Sequence, residues 1–219
     1  MRVVNVCFHG IGAPGRVLEP GEETYWTGRD TFLGILDRVA GRDDVRLSFD
    51  DGNASDAAIA LPALQERGLT ATFFVVAGRL DQPGSLSRED VRRLHGAGMT
   101  IGNHGMTHRP WRGLDPGRQQ EELVAARQAL SEVTGHAVRD AACPLGRYDR
   151  HVLGALRRLG YRSAHTSDRR WARTESWIQP RYSIHAGDTP ESVEREVLRR
   201  PAAPVRAKGA AVGAVKRLR

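Results

Sequence analysis

Along this chain a short run of contiguous apolar residues is followed, again and again, by a longer stretch in which apolar residues return every three or four positions. Val3–Phe8 is the first short run and predicts a buried strand; Asp30–Ala40, with Phe32, Leu33, Leu36 and Val39 on one side, predicts a helix. Further strands are expected over Val45–Phe49, Ala71–Val76, Thr100–Asn103, Ala141–Cys143, Tyr161–Thr166 and Arg181–Ile184. Helices are expected over Ala54–Arg67, Ser87–Gly98, Asp115–Gly135, Asp149–Leu159 and from Thr189 to Arg200. The punctuation agrees: Ser87 with Asp90 is a variant capping box, Asp115-Pro116 is a cap followed by proline, and Gly68, Gly98 and Gly160 stop helices. Strict alternation means βα units around a parallel sheet. Periodicity does not choose between a doubly wound sheet and a small barrel, but both bind ligands beyond the carboxyl ends of the strands.

Titratable residues gather on that face. Asp50-Asp51-Gly52 follows Val45–Phe49, His104 and His108 follow Thr100–Asn103, and Pro144-Leu145-Gly146 follows Ala141–Cys143. His9 and His185 follow the first and last strands. Ordinary readings exist for each. Asp-Asp-Gly is also a turn, as Asp43-Asp44 ahead of the same strand is read to be, and His104 and His108 are two of eight histidines. Taken together they permit chemistry. Adjacent carboxylates repel unless a cation holds one of them, and imidazoles four residues apart on a compact loop can reach one ion. Asp51, His104 and His108 would supply three ligands and leave positions open, as in a catalytic site. One divalent cation is expected: zinc suits nitrogen and oxygen ligands, and cobalt, manganese or iron could substitute. Such an ion lowers the pKa of a bound water towards about 7 and polarises a carbonyl. Asp50 would then act as base, a backbone N–H at Leu145 as oxyanion donor, and His185, across the cleft, as acid for a leaving amine. His185 could equally do no more than end a strand.

The glycine-rich stretch His9–Gly15 lacks the Gly-Lys-Ser/Thr ending of a phosphate loop and reads as a loop over the site, with His9 facing the pocket or packing it. Trp111, Trp171 and Trp177 could stack on a sugar face or simply pack. Cys7 and Cys143 fall in strands without CxxC partners and read as reduced core thiols.

The net charge of +7 is carried by the end of the chain: Arg199, Arg200, Arg206, Lys208, Lys216, Arg217 and Arg219 are seven positive charges with no acid among them. The near-neutral body lacks the basic excess of a phosphate-backbone binder, so no nucleic-acid partner is expected. The chain divides into a catalytic domain over residues 1–200 and a basic, flexible tail over 201–219. Residues 199–219 could make weak contact with an acidic membrane surface or a polyanion, but their Pro, Ala and Gly content reads as a solvated end. No apolar run approaches the roughly 20 residues that span a bilayer. Val3–Phe8 is also too short for the apolar core of a signal peptide, so a cytoplasmic location is expected.

Ser48-Phe49-Asp50-Asp51-Gly52, Thr72-Phe73-Phe74-Val75 and Asn103-His104-Gly105-Met106-Thr107-His108, in that order and spacing, resemble the polysaccharide deacetylases (NodB homology, carbohydrate esterase family 4). The resemblance runs from about Val3 to Ile184 and implies a single-domain, distorted (β/α) barrel of parallel strands. It also implies Asp50 as base and Asp51, His104 and His108 as metal ligands. Where many members carry Arg-x-Pro-aromatic-Gly, this chain has Ala142-Cys143-Pro144-Leu145-Gly146. The arginine that would orient the base is therefore missing, so either Arg147 or Arg181 tunes Asp50 or its tuning is weaker. Later motifs are echoed by Asp168 and Trp171 and by Ser183-Ile184-His185. His9, Pro144, Trp171 and Arg181 are the candidate substrate contacts. The activity implied is removal of an acetyl group from an N-acetylated sugar, glycan or glycoconjugate. Hydrolysis of a non-sugar amide C–N bond and a non-catalytic glycan-binding module are the alternatives.

Overall fold

In the computed structural model, which describes residues 1–200, the apolar runs become strands and the periodic stretches become helices. The chain passes through β1 (Arg2–Phe8), α1 (Arg29–Val39), β2 (Val45–Asp51), α2 (Leu61–Glu66), β3 (Ala71–Val75), α3 (Arg88–Gly96) and β4 (Thr100–Asn103). It continues through α4 (Pro116–Gln119), α5 (Ala126–Thr134), β5 (Asp140–Ala142), α6 (Arg150–Arg158), β6 (Ser163–Thr166), β7 (Ala172–Arg173), β8 (Ile178–Ser183) and α7 (Pro190–Val193). The tail expected over residues 201–219 lies outside the described residues.

The caps behave as their chemistry dictates. The side chains of Ser87, Asp115 and Asp149 accept from the amides of Asp90, Arg118 and Val152, satisfying first-turn donors that a helix cannot use itself. Three expected helices carry a wider, π-helical turn, over Asp56–Ala60, Gln120–Ala125 and Glu194–Leu198. Two strand boundaries also differ from expectation. β2 continues through Asp50 and Asp51, so these acids are its last residues rather than a following turn. β8 begins at Ile178, earlier than read, and the short β7, which pairs antiparallel with β1 through Val3 and Ala172, has no clear signature of its own.

Seven parallel strands close on themselves in the order β1, β2, β3, β4, β5, β6, β8 and back to β1. The architecture is therefore the (β/α) barrel rather than the doubly wound sheet. Phe8, Phe49 and Phe73, at matched positions of β1, β2 and β3, stack with centroids 5.4 and 4.7 Å apart, and the edge of Phe32 from α1 closes on Phe8 at 5.1 Å. All four are fully buried, each worth about 1.5–3 kcal/mol of transfer energy. With the phenylalanines facing the helices, the two-residue period of a strand turns Cys7, Ser48 and Asp50 into the barrel. Among the described residues no helix is long and apolar enough to cross a membrane.

Candidate active site

The interior of the barrel near its carboxyl end is polar, and one ion pair organises it. Arg181 of β8 donates to both oxygens of Asp50 of β2, Nη1 to Oδ1 at 2.6 Å and Nη2 to Oδ2 at 2.7 Å, across the face of the intervening β1. Nη1 also reaches the Ser48 hydroxyl at 3.2 Å, and the guanidinium lies 5.1 Å from the Phe74 ring centroid. Both partners are buried, at 1% and 3% exposure. Burial favours the neutral acid, but the Arg181 charge and its paired hydrogen bonds outweigh it and hold Asp50 down at about 2. Of the two arginines open to this role, Arg181 takes it; Arg147 lies on the cleft wall instead.

In an extended strand Asp51 would point away from Asp50. It does not stay extended: its φ is 76°, in the left-handed region that Asp tolerates better than most residues. Its Oδ1 lies 3.1 Å from Nε2 of His108 and 3.5 Å from Nε2 of His104. A tetrahedral zinc with bonds of about 2.0–2.1 Å sets its ligand atoms about 3.3–3.4 Å apart, between those two separations. Ligand atoms of Asp51, His104 and His108 all lie within 4.8 Å of one another. Both Asp51 oxygens are enclosed, and neither accepts a hydrogen bond of acceptable geometry from the described residues. A buried carboxylate without a donor is expensive unless a cation compensates it, so this donor set fits a divalent ion.

The two imidazoles sit in opposite electrostatic surroundings. The Nδ1 of His104 lies 2.9 Å from the carbonyl oxygen of Ala142; a carbonyl can only accept, so Nδ1 carries the proton and Nε2 keeps its lone pair. Burial pushes His104 down to about 4, against the pull of Asp50, so the ring is neutral at neutral pH as a ligand must be. Burial also opposes a charge on His108, but close pairing with Asp51 and Glu19 wins and raises it. Burial works against ionised Asp51 too, yet His108 holds that carboxyl well below the usual range.

These groups line a cleft of about 330 Å³ whose wall includes His9, Glu19, Tyr25, Leu145 and Arg147. Five non-glycine residues among those described adopt left-handed φ, and three of them, Asp51, His108 and Leu145, line this cleft. Each such residue stores strain of order 1–3 kcal/mol, held in place by the surrounding fold.

Not every expected residue reaches the cleft. His185 does not line it: Tyr25 stands between, with ring centroids 4.8 Å from His185 and 4.8 Å from His9. Pro144 is buried behind the wall that Cys143 and Leu145 form. Trp171, expected on the substrate, packs at the opposite end beside Met1 and Arg2 and donates its indole N–H to the Val197 carbonyl at 3.2 Å. Trp111 is fully buried and Trp177 pairs with Arg157, so neither offers a face to the cleft. Arg181 holds Asp50 rather than lining the wall. Asp168 accepts hydrogen bonds from Tyr148 and Thr166. Cys7 and Cys143 are free buried thiols.

Two carboxylates without a motif of their own, Glu122 and Glu19, support the site. The buried Glu122 carboxylate accepts from the amide of Met106 at 2.8 Å and the hydroxyl of Thr107 at 2.5 Å, fixing the loop that joins the two histidines. That loop turns at Gly105 with φ of 86°, where a Cβ would collide with Glu122. Glu19, from the loop after β1, accepts from Nδ1 of His108 at 2.7 Å and pairs with Arg79.

The polysaccharide deacetylase family profile matches residues 37–164. The chain is 31% identical over 140 residues to a chitooligosaccharide deacetylase of Bradyrhizobium sp. (strain ANU 289), covering 62% of each chain. It is 26% identical over 148 residues to YxkH of Bacillus subtilis (strain 168), covering 68% of this chain and 53% of that protein. This chain thus spans between half and two-thirds of the length of these relatives. The Streptococcus pyogenes deacetylase PplD, solved in complex with acetate, superposes with a TM-score of 0.74 over 90% of this chain and 98% of that one, at 20% identity. With a matching profile over more than half its length and a barrel of the same fold, this chain belongs to the polysaccharide deacetylase family.

Proposed function

We propose that this protein is a cation-dependent hydrolase that removes the acetyl group from an N-acetylated sugar of a glycan or glycoconjugate. One observation carries the reading: a carboxylate locked by Arg181 and a separate Asp-His-His donor set open into the same small cleft. About 330 Å³ is near the lower end for small-molecule sites, room for one sugar ring and its acetyl group.

Asp51, His104 and His108 would hold the ion. When bound, a divalent cation supplies a polarised acyl carbonyl and acidified water, which matters because Arg181 makes Asp50 a weak base. Arg181 keeps Asp50 ionised and aims it, so that carboxylate takes the proton lost by the attacking water. The water oxygen joins the acyl carbon, and the backbone N–H of Leu145 would donate to the oxygen that gains charge. As the C–N bond breaks, the departing nitrogen needs a proton. His9 is better placed to give it than His185, because it lines the cleft and has a ring nitrogen within 4.8 Å of an Asp50 oxygen. Acetate and the free amine leave.

Acetate release from N-acetylated monosaccharides and chitooligosaccharides, set against linear and cyclic non-sugar amides, tests the substrate. Turnover confined to the non-sugar amides would overturn the sugar assignment. His9→Gln is expected to lower kcat by about 10²–10⁴ and His185→Gln far less; the reverse order would return the acid role to His185.

A further inference from the structure

From the contacts of one loop carboxylate, we infer that Glu19 is a positioning residue for the cation site and couples cation binding to the docking of the loop over the cleft. The inference rests on the Asp51-His104-His108 set holding a cation. Glu19 lies in the long connection between β1 and α1, far in sequence from every ligand, yet its Oε2 is 2.7 Å from Nδ1 of His108 while its other oxygen pairs with Arg79.

Both anchors are fixed on the barrel. Arg79 ends a short turn after β3 in which the amides of Ala77 and Gly78 donate to the carbonyls of Gly105 and Met106, at 2.9 and 3.0 Å. Arg79 is thereby tied to the loop that carries the histidines. Its Nη2 also comes within 3.4 Å of Nδ1 of His108. A guanidinium can only donate, so once Nδ1 carries a proton Arg79 and His108 cannot bond each other and both turn to Glu19.

Two consequences follow for the ion. A cation at Nε2 of His108 requires the proton on Nδ1, and a carboxylate accepting that proton fixes the tautomer and the ring while making Nε2 a better donor. Conversely, the Glu19 bond strengthens when a positive ion polarises the ring, so cation and loop favour each other by the same factor. The loop has something to cover: Pro20, Gly21 and Tyr25 join Glu19 on the cleft wall. Its other fastenings, Arg16 to Glu22 and to Asn53, the Ala186 amide to the Thr24 carbonyl, and Tyr25 against His9 and His185, do not involve His104 or His108. Glu19 is thus the link between this loop and a proposed ligand.

The test measures zinc affinity by chelator competition on the full chain, together with hydrogen exchange of residues 12–25 with and without zinc. Glu19→Ala is expected to weaken zinc about 10–100-fold. Glu19→Gln, which keeps an acceptor but loses the charge, is expected to fall between Ala and wild type. Zinc is expected to slow exchange of the loop in the wild type and not in Glu19→Ala. Glu23→Ala, an exposed acid of the same loop, controls for general loop effects and is expected to match the wild type. Zinc affinity within about twofold of wild type in Glu19→Ala, or loop exchange that ignores zinc, would overturn the inference while leaving the cation site standing. A wild-type protein that binds no zinc would remove the site itself.

Discussion

Strand β2 begins just after one Asp-Asp pair and ends on another. Asp43 and Asp44 precede it at the amino end of the barrel; Asp43 is exposed, and Asp44 is gripped at 3.0 Å by Arg42, two residues away, with a third of each side chain in solvent. Asp50 and Asp51 close the strand at the carboxyl end, buried at 3% and 1%, and their partners come from β8 and from the loop after β4. The same dipeptide is a solvated turn in one place and a buried, partnered pair in the other. Burial makes the difference: in water a carboxylate needs no partner, whereas inside the barrel each needs a compensating charge. Arg181 takes both oxygens of Asp50, while Asp51 faces the Nε2 atoms of His104 and His108.

Substitution separates the two pairs most sharply. Asp50→Asn is expected to lower turnover by about 10²–10⁴ while zinc still binds, whereas Asp43→Asn should leave steady-state kinetics unchanged. If both or neither mattered, burial would not be what distinguishes them. Next in size is the arginine contrast. Arg181→Met strands a buried carboxylate and should reduce the unfolding free energy by about 3–5 kcal/mol, while Arg42→Met removes a surface pair worth about 0–1 kcal/mol; urea denaturation measures both. Smaller again, Glu122→Gln should cost about 1–3 kcal/mol by leaving part of the histidine loop unsatisfied.

The gentlest test is the pH dependence of stability in cation-free protein. Folding lowers His104 to about 4 and pushes His165 well below its ordinary value, both chiefly by burial, so below the unfolded value of about 6.5 the unfolded chain binds protons that the folded one refuses. Stability should therefore fall as pH drops below about 6.5. His108 is raised despite its burial, because Asp51 and Glu19 favour its charge; its contribution is complete below about 6.5 and disappears as pH climbs beyond that. His108→Asn should flatten the alkaline limb and, because His108 holds the Asp51 carboxyl down, should also alter the acid limb. An alkaline limb left unchanged by that variant would contradict the pairing described above.

Much of this was legible in the chain because it is local. Strand and helix periods, the Ser87 and Asp115 caps, and the order of Asp50-Asp51, His104 and His108 each occupy a few consecutive residues. What escaped is what the closed barrel brings together. The Arg181–Asp50 pair spans 131 residues, and nothing in the sequence around Arg181 distinguishes an inward from an outward guanidinium. Trp171 lies at the far end of the barrel, and a tryptophan in a loop does not declare in sequence which end it faces. His9 and His185 both follow strands that flank the same cleft, and only the position of Tyr25 between them separates the two. Glu19 and Glu122 have no motif, since a carboxylate that holds a histidine or a loop need only be near it in space.

Asp51, His104 and His108 are proposed to share one ion beside an uncoordinated Asp50. Anomalous diffraction from zinc-soaked crystals tests it most directly. A single peak about 2.0–2.2 Å from Asp51 and from Nε2 of both histidines, with Asp50 still on Arg181, is the result expected. No peak there, or a zinc bound by Asp50 in place of Asp51, would contradict it.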